Sequence, residues 1–330
     1  MFKNKTILID GGSGSWGNEL TKQLLERNPK KIIIFSRGEL AQVNMERKFQ
    51  NPKIEFVIGD IRDADAVDRL FNHKNIDYVF HLAALKHVPV CENQPQEAIK
   101  TNINGTINLI NSAIKYKVKK FIDVSTDKAC QPTNLYGMTK SVGERLTIQA
   151  NNLTYDTDFI CIRGGNVLGS NGSVVPYFID QIKKFNKVTI TDHRMTRYFL
   201  TLPEAIGLLF QAVENSVGGE TYVMNMPSFY ISDLASALVN HYGNESTKIE
   251  EIGIREGEKL HELLISEHET PYTYMFNGNY FVILPCIKIN KDYSYIDETT
   301  KVCFKQFSSE SNLKTYAYLE ELLKNGGFLQ

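Results

Sequence analysis

The first half of the chain alternates short, unbroken apolar runs with stretches whose apolar residues recur at helical spacing. Thr6-Ile7-Leu8-Ile9 ends in Asp10 and two glycines, and Asn18 to Arg27 then places Leu20, Leu24 and Leu25 on one helical face. Lys31 to Phe35, Ile54 to Ile58, Tyr78 to Leu82 and Lys120 to Val124 repeat the apolar run. Helical patterns fill the gaps: through Met45 and Phe49, from Ala64 to Phe71, and from Ala98 to Tyr116. None of the runs alternates apolar with polar residues, which is the pattern of strands buried on both faces of a parallel sheet. Repeated strand–helix alternation predicts a doubly wound α/β domain. After Asp158 to Ile162 the rhythm loosens, and glycines and polar turns collect between Gly164 and Gly172. The pattern predicts one α/β domain over residues 1–165. A smaller mixed α/β lobe follows over residues 166–330, with some chain returning to the first domain.

Composition narrows the function classes. The 330 residues are 42% hydrophobic and 23% charged, enough for a packed core. A net charge of -1 provides no general field for nucleic acid or an anionic membrane, so neither is an expected partner. Met1-Phe2-Lys3-Asn4-Lys5 runs into the first strand without the apolar stretch of a signal peptide, and no window holds the ~18 apolar residues of a membrane span. Cys91, Cys130, Cys161, Cys286 and Cys303 are scattered with no Cys-x-x-Cys pair, so no disulfide scaffold or metal site is expected. A cytoplasmic enzyme is the expectation.

The loop after the first strand carries the first candidate chemistry. Gly11, Gly14 and Gly17, with Ser15 and Trp16 among them, lie between a strand and a helix. That setting suits a tight turn that brings backbone against a pyrophosphate at a helix N-terminus, the dinucleotide site of a Rossmann-type fold. Residues 1–165 are therefore the expected cofactor domain, and residues 166–330 the substrate-binding lobe. The second strand ends in Ser36-Arg37, with the nearest acid at Glu39. Arginine there can be a solvated surface charge, but its position at the end of the second strand favours the 2′-phosphate of NADP. Asp60 and Ile61 after the third strand are candidate adenine contacts, and Ala83 and Ala84 after the fourth leave room for the cofactor.

Ser125-Thr126-Asp127-Lys128-Ala129 closes the fifth strand, at the end where open α/β sheets bind ligands, and Tyr136-Gly137-Met138-Thr139-Lys140 follows. Tyr136 and Lys140 share a helix face. A cationic Lys140 favours the Tyr136 phenolate and lowers a pKa that starts near ~10, making Tyr136 a base for carbinol-to-ketone chemistry. Asp127-Lys128 alone reads as a capped turn, an ion pair, or an acid beside a base.

These segments resemble the extended short-chain dehydrogenase/reductases that modify nucleotide sugars. Within that superfamily the chain is similar to the inverting UDP-N-acetylglucosamine 4,6-dehydratases, which begin the pseudaminic acid pathway. The resemblance covers nearly the whole chain. It rests on Ala83-Ala84-Leu85-Lys86-His87-Val88-Pro89, Lys100-Thr101-Asn102, Thr126-Asp127-Lys128, Asn134-Leu135-Tyr136-Gly137, Gly172-Ser173-Val174-Val175-Pro176, Met195-Thr196-Arg197 and Gly257-Glu258-Lys259-Leu260-His261-Glu262. It implies that tightly bound NADP is reduced and reoxidised in each cycle, that the substrate is a UDP-sugar, and that the protein is a homo-oligomer of dimer to hexamer size. By resemblance Tyr136 takes the C4 hydroxyl proton, Lys128 takes the C5 proton and Asp127 donates to the C6 oxygen. Thr126 hydrogen-bonds the C4 oxygen, and Lys140 tunes Tyr136 and holds the nicotinamide ribose. A base must be neutral and an acid protonated, so the expectation is a lowered Lys128 and a raised Asp127; an ordinary ion pair does the opposite.

On the substrate side, Lys86 is placed to reach cofactor, sugar or diphosphate. Asn102 either orders the site or makes a helix-interior contact. Asn166, Val174, Arg197, Arg255 and Glu258 are the remaining substrate candidates, with surface ion pairing the alternative for the arginines. The chain departs from the family at Asp10 (usually Thr), Gly38 (usually Asp), Gly164 (usually aromatic) and Asn171 (usually Arg). A 4-epimerase or 4-keto reductase needs only Tyr136, Lys140 and Thr126, and a catalytically silent NADP-binding protein needs none of them.

Overall fold

The computed structural model describes residues 1–170 and 172–329; Asn171, one of the family departures, lies outside the described residues. The first half runs β1 (Thr6–Asp10), α1 (Ser15–Leu25), β2 (Lys31–Ser36), α2 (Glu39–Phe49), β3 (Ile54–Ile58), α3 (Ala64–Asn72) and β4 (Tyr78–His81). It continues through α4 (Val88–Asn93), α5 (Pro95–Ile99), α6 (Gly105–Lys115), β5 (Lys120–Thr126), α7 (Leu135–Ala150) and β6 (Asp158–Gly164). The remainder comprises β7 (Asn166–Val167), α8 (Val174–Phe185), β8 (Lys187–Ile190), β9 (Thr196–Leu200), α9 (Leu202–Asn215), β10 (Thr221–Met224) and β11 (Ser228–Tyr230). Last come α10 (Ile231–Tyr242), β12 (Lys248–Glu251), β13 (Leu263–Ile265), β14 (Thr273–Phe276), β15 (Tyr280–Ile283), β16 (Phe307–Ser308) and α11 (Tyr316–Asn325).

Among the described residues the main sheet has nine strands in the order β14-β15-β10-β6-β5-β4-β1-β2-β3. All pairings from β10 to β3 are parallel, and β15 and β14 add antiparallel. Its parallel strands bury side chains on both faces, which accounts for the unbroken apolar runs. Ile7, Ile9, Ile32, Ile34 and Ile122 meet Leu20 and Leu24 of α1 and Leu208 and Leu209 of α9. Leu8, Ile33, Val79 and Phe121 face the other way, onto Val67 and Phe71 of α3 and Leu109 of α6. The chain beyond residue 165 supplies α9, β10, β14 and β15 to this layer, so residues 1–165 do not complete the sheet by themselves.

A second core gathers Val175, Phe178 and Ile182 of α8 with Leu234 and Leu238 of α10 and Leu319 and Leu323 of α11. The small sheets β11-β9-β7 and β12-β8 contribute Phe229, Phe199, Val188 and Ile190 to it, whereas β13-β16 packs Leu264, Ile265 and Phe307 into a separate cluster. The strand order reverses between β1 and β4, and the cleft beyond the C-terminal ends of these strands faces the second core. The expected helix from Ala98 to Tyr116 is interrupted. Lys100–Asn104 forms a π-helical turn between α5 and α6, a local widening that turns the Asn102 side chain toward the β4 loop.

Candidate active site

A single cleft of about 1200 Å³ runs from the β1–α1 loop to the second core. Its volume exceeds an ordinary single-ligand pocket and suits two nucleotides end to end. At one end Gly11, Gly14, Ser15 and Trp16 line the wall beneath α1. Gly11 presents bare backbone there with φ +61°, and a Cβ on it would fall 2.7 Å from the Ala83 nitrogen. This close-packed backbone at a helix N-terminus fits the pyrophosphate of a dinucleotide. Ser36, Arg37, Asp60 and Ile61 line the next stretch, with Ala83, Ala84 and Lys86 beside them. Gly17 does not line the cleft. A Cβ there would lie 2.1 Å from the Gly12 carbonyl oxygen, so this glycine lets α1 pack on the loop rather than touch a cofactor.

Asp10 explains its own departure from the family. Its buried Oδ1 accepts from the backbone nitrogens of Leu82 (3.2 Å) and Ala83 (2.8 Å), and lies 2.8 Å from His81 Nδ1. His81 Nε2 in turn meets Thr106 Oγ1 at 2.9 Å. One carboxylate thus ties β1 to the loop that carries Ala83 and Ala84, which line the cleft. At Arg37 the guanidinium lies 3.7 Å from Asp60 and is half-exposed, while Gly38 brings no carboxylate next to it.

The reactive wall is built where β5 ends. Thr126 caps a 3₁₀ turn over Asp127–Ala129, and α7 begins at Leu135 with Asn134 as its cap, accepting from the Gly137 nitrogen at 2.9 Å. A Cβ on Gly137 would sit 2.2 Å from the Lys128 carbonyl oxygen; glycine alone lets α7 approach this turn. The two segments, separated by five residues of chain, therefore meet. Thr126, Lys128 and Tyr136 line the cleft, whereas Asp127 and Lys140 lie buried behind it.

The charges here differ from the sequence expectation. Lys128 Nζ sits 3.0 Å from Asp127 Oδ1 and 3.6 Å from Glu262 Oε1. Burial works to lower the Lys128 ammonium, but Asp127 and then Glu262 outweigh it, and the net shift is upward. The resting state is an ion pair, the reverse of the lowered Lys128 that a standing base requires. Tyr136 also departs: burial raises its phenol, and Lys140, Lys128 and a hydrogen bond with Thr126 only partly counter this. Lys140 is held 2.8 Å from the buried Asp123 carboxylate; burial disfavours its charge, yet Asp123 and Tyr136 keep it raised and cationic.

Asn102 does not line the cleft and is not placed to touch substrate. Its amide clasps the Leu85 backbone, accepting from the nitrogen (2.8 Å) and donating to the oxygen (2.9 Å), and also donates to Thr139. It positions the Lys86 loop against α7. Asn166, Val174, Arg197, Arg255 and Glu258 do line the cleft. The Arg197 guanidinium is mostly committed, donating to the carbonyls of Thr196, Leu260 and Lys259. Glu262 was missed as a site residue although its segment was noted. It is 3% exposed, lies 3.6 Å from both Lys128 and Arg197 Nε, and leaves Oε2 without a partner. Nothing in the spacing of a residue 134 positions beyond Lys128 could have placed it there.

A family model for polysaccharide biosynthesis proteins matches residues 7–284. The chain is 46% identical to a UDP-N-acetylglucosamine 4,6-dehydratase (inverting) of Campylobacter jejuni subsp. jejuni serotype O:2, over 88% of this chain and 86% of the relative. It is 37% identical to a UDP-glucose 4-epimerase of Rickettsia canadensis, over 98% of this chain and all of that one. The crystal structure of Pen from Bacillus thuringiensis superposes with a TM-score of 0.93 at 38% identity, covering 100% of both chains. With its doubly wound sheet, glycine loop and Tyr136–Lys140 pair, the chain belongs to the polysaccharide biosynthesis protein family, among the extended short-chain dehydrogenase/reductases that include the inverting UDP-N-acetylglucosamine 4,6-dehydratases.

Proposed function

We propose that the protein is a C5-inverting UDP-N-acetylglucosamine 4,6-dehydratase that makes a UDP-4-keto-6-deoxy-L-arabino-HexNAc for bacterial surface glycans or nonulosonic acids. One observation carries this reading: Lys128, with Asp127 at 3.0 Å behind it, shares a stretch of cleft wall with Tyr136 and Thr126. Oxidation at C4 requires only the latter pair with Lys140. An acid and a base alongside them are what elimination across C5–C6 adds.

The C5 proton is not acidic until C4 is a ketone. A bound nicotinamide dinucleotide would accept hydrogen from C4 and return it at C6. Tyr136 takes the C4 hydroxyl proton, with the Lys140 cation favouring the phenolate. Proton transfer from Lys128 to Asp127 across their 3.0 Å contact converts the resting ion pair into a neutral base and a protonated acid in one step. Lys128 then removes the C5 proton while Asp127 protonates the departing C6 hydroxyl. Arg37, with no carboxylate at Gly38, supports NADP over NAD. Arg255 and Asn166 are proposed to hold the diphosphate, with Val174, Arg197 and Glu258 shaping that side. The family resemblance supports a cytoplasmic homo-oligomer, and no described helix is long and apolar enough to cross a membrane.

A 4-epimerase is the second reading, favoured by one observation: in the resting site Lys128 is held as an ammonium between two carboxylates, a state that serves no elimination until its proton moves. Incubation with UDP-N-acetylglucosamine, followed by mass and proton NMR, separates the two. Dehydration gives loss of one water and a new methyl signal. An unchanged mass with a C4 epimer overturns it.

A further inference from the structure

The proposed NADP preference rests on Arg37, which is half-exposed and lies near the Asp60 carboxylate. Ser36, next to it, also lines the cleft. A hydroxyl helps an anion only by donating, so what counts at Ser36 is where its one proton points.

A buried side chain on α2 restricts that choice. Gln42 is 3% exposed, and its Nε2 lies 3.1 Å from the Ser36 carbonyl oxygen, 2.9 Å from the Val57 carbonyl oxygen and 3.0 Å from Ser36 Oγ. Carbonyl oxygens cannot donate, so the two carbonyls identify this end of the amide as its NH₂ group. An amide nitrogen does not accept, and toward Gln42 the Ser36 hydroxyl is therefore an acceptor. Its proton is kept off the α2 side. Two directions remain among the described residues: Ser13 Oγ at 3.0 Å, and the cleft. The Ser13–Ser36 contact can run either way. With Ser13 donating, Gln42 and Ser13 fill both lone pairs of Ser36 Oγ, and the Ser36 proton is left for the cleft.

We infer that Gln42 is a positioning residue for cofactor choice, holding the Ser36 hydroxyl as a donor toward the 2′-position of the adenine ribose. A 2′-phosphate gains a charge-assisted hydrogen bond from that donor, beside the charge of Arg37, whereas the 2′-hydroxyl of NAD gains only a neutral one. Gln42 itself does not line the cleft, so its effect passes through Ser36. This inference rests on the proposed use of NADP and deepens it. A purely structural Gln42, tying α2 to the ends of β2 and β3, would weaken both dinucleotides alike.

The test reads cofactor choice without turnover. The full-length protein is held with mixtures of NADP and NAD until the bound ratio no longer changes. Free dinucleotide is then removed by gel filtration, and the two retained cofactors are counted by mass spectrometry. Ser36→Ala should lower the NADP preference by about 10–100-fold, the value of a hydrogen bond to a charged group. Gln42→Met keeps the length of the side chain and removes the amide; it should lower the preference by about fivefold, the value of one neutral hydrogen bond. Gln42→Asn, which draws the amide back from Ser36, replaces it should the methionine variant not fold. The double variant should match Ser36→Ala alone, because without the hydroxyl Gln42 has nothing to orient. An unchanged ratio in the Gln42 variant, equal losses for both dinucleotides, or losses that add in the double variant overturn the inference and leave the NADP reading standing. A wild-type protein that retains NAD as readily as NADP overturns both.

Discussion

Replacing Glu262 with glutamine tests how the charge state of Lys128 is set. The substitution keeps the side chain's size and removes one of the two carboxylates around the ammonium. At 3.6 Å and an effective dielectric near ~20, one such charge is worth roughly 4–5 kcal/mol, or about three pKa units. Arg197 is present in both proteins, so the change is that of the single Glu262–Lys128 pair, an expected fall in Lys128 of up to about three units. In the mechanism above Lys128 and Asp127 share one proton, and losing it to solvent removes the acid, so activity falls as the pair deprotonates at high pH. The falling limb of dehydration in Glu262→Gln should therefore move to lower pH, by up to about three units relative to wild type. The variant should also be less stable, by up to about 3–5 kcal/mol, because Arg197 and Lys128 lose a buried counter-charge. Thermal unfolding measures that part separately. A falling limb that stays in place, or moves to higher pH, would refute the assignment of Lys128 as the base held in check by Glu262.

Asp10→Ala removes the acceptor for two backbone nitrogens and His81, each an unsatisfied buried donor worth roughly 1–3 kcal/mol. It should lower the thermal midpoint and, through the Ala83 loop, weaken cofactor binding in a fluorescence titration. Arg37→Ala should weaken NADP by about 10–100-fold, the value of one charge-assisted contact, while leaving NAD nearly unchanged; equal losses for both would remove Arg37 from the 2′-phosphate site. For Glu269, burial alone would raise the carboxyl, but Arg163 at 2.8 Å holds it at about 2, below its unfolded value near ~4.3. Its contribution, on the order of 3 kcal/mol, is then complete above the unfolded value and lost as pH falls toward about 2. Urea unfolding between about pH 5 and pH 3 should show that slope in wild type and a flatter one in Glu269→Gln.

Much of the first domain was legible because its signals are local. An apolar run buried on two faces, a glycine loop between strand and helix, and a tyrosine and lysine four residues apart each depend on neighbours within one or two turns. The strands begin within a residue of where the pattern placed them, and the residues proposed for the cofactor line one stretch of the cleft, Gly17 and Lys140 excepted. The exception at Gly17 has a plain cause: a glycine that admits a cofactor and one that admits a helix look the same in sequence. The π-helical turn at Lys100–Asn104 was likewise invisible, since it keeps the residues of an ordinary helix and only re-aims Asn102.

What the tertiary structure alone decided is charge. Sequence placed Asp127, Lys128, Tyr136 and Lys140 at one strand end and assigned them opposite protonation demands. Whether those demands are met depends on burial and on partners brought from far along the chain, because electrostatic energy depends on distance and dielectric rather than on sequence separation. Arg197 on β9 and Glu262 just before β13 reach Lys128, and Asp123 on β5 holds Lys140 on the helix packed against that strand. They turn the expected free base into a clamped ammonium, beside a Thr126 hydroxyl that donates to Asp127. The amino-acid sequence determined which chemical groups meet at the end of β5; the packing around them determined which of those groups holds the proton.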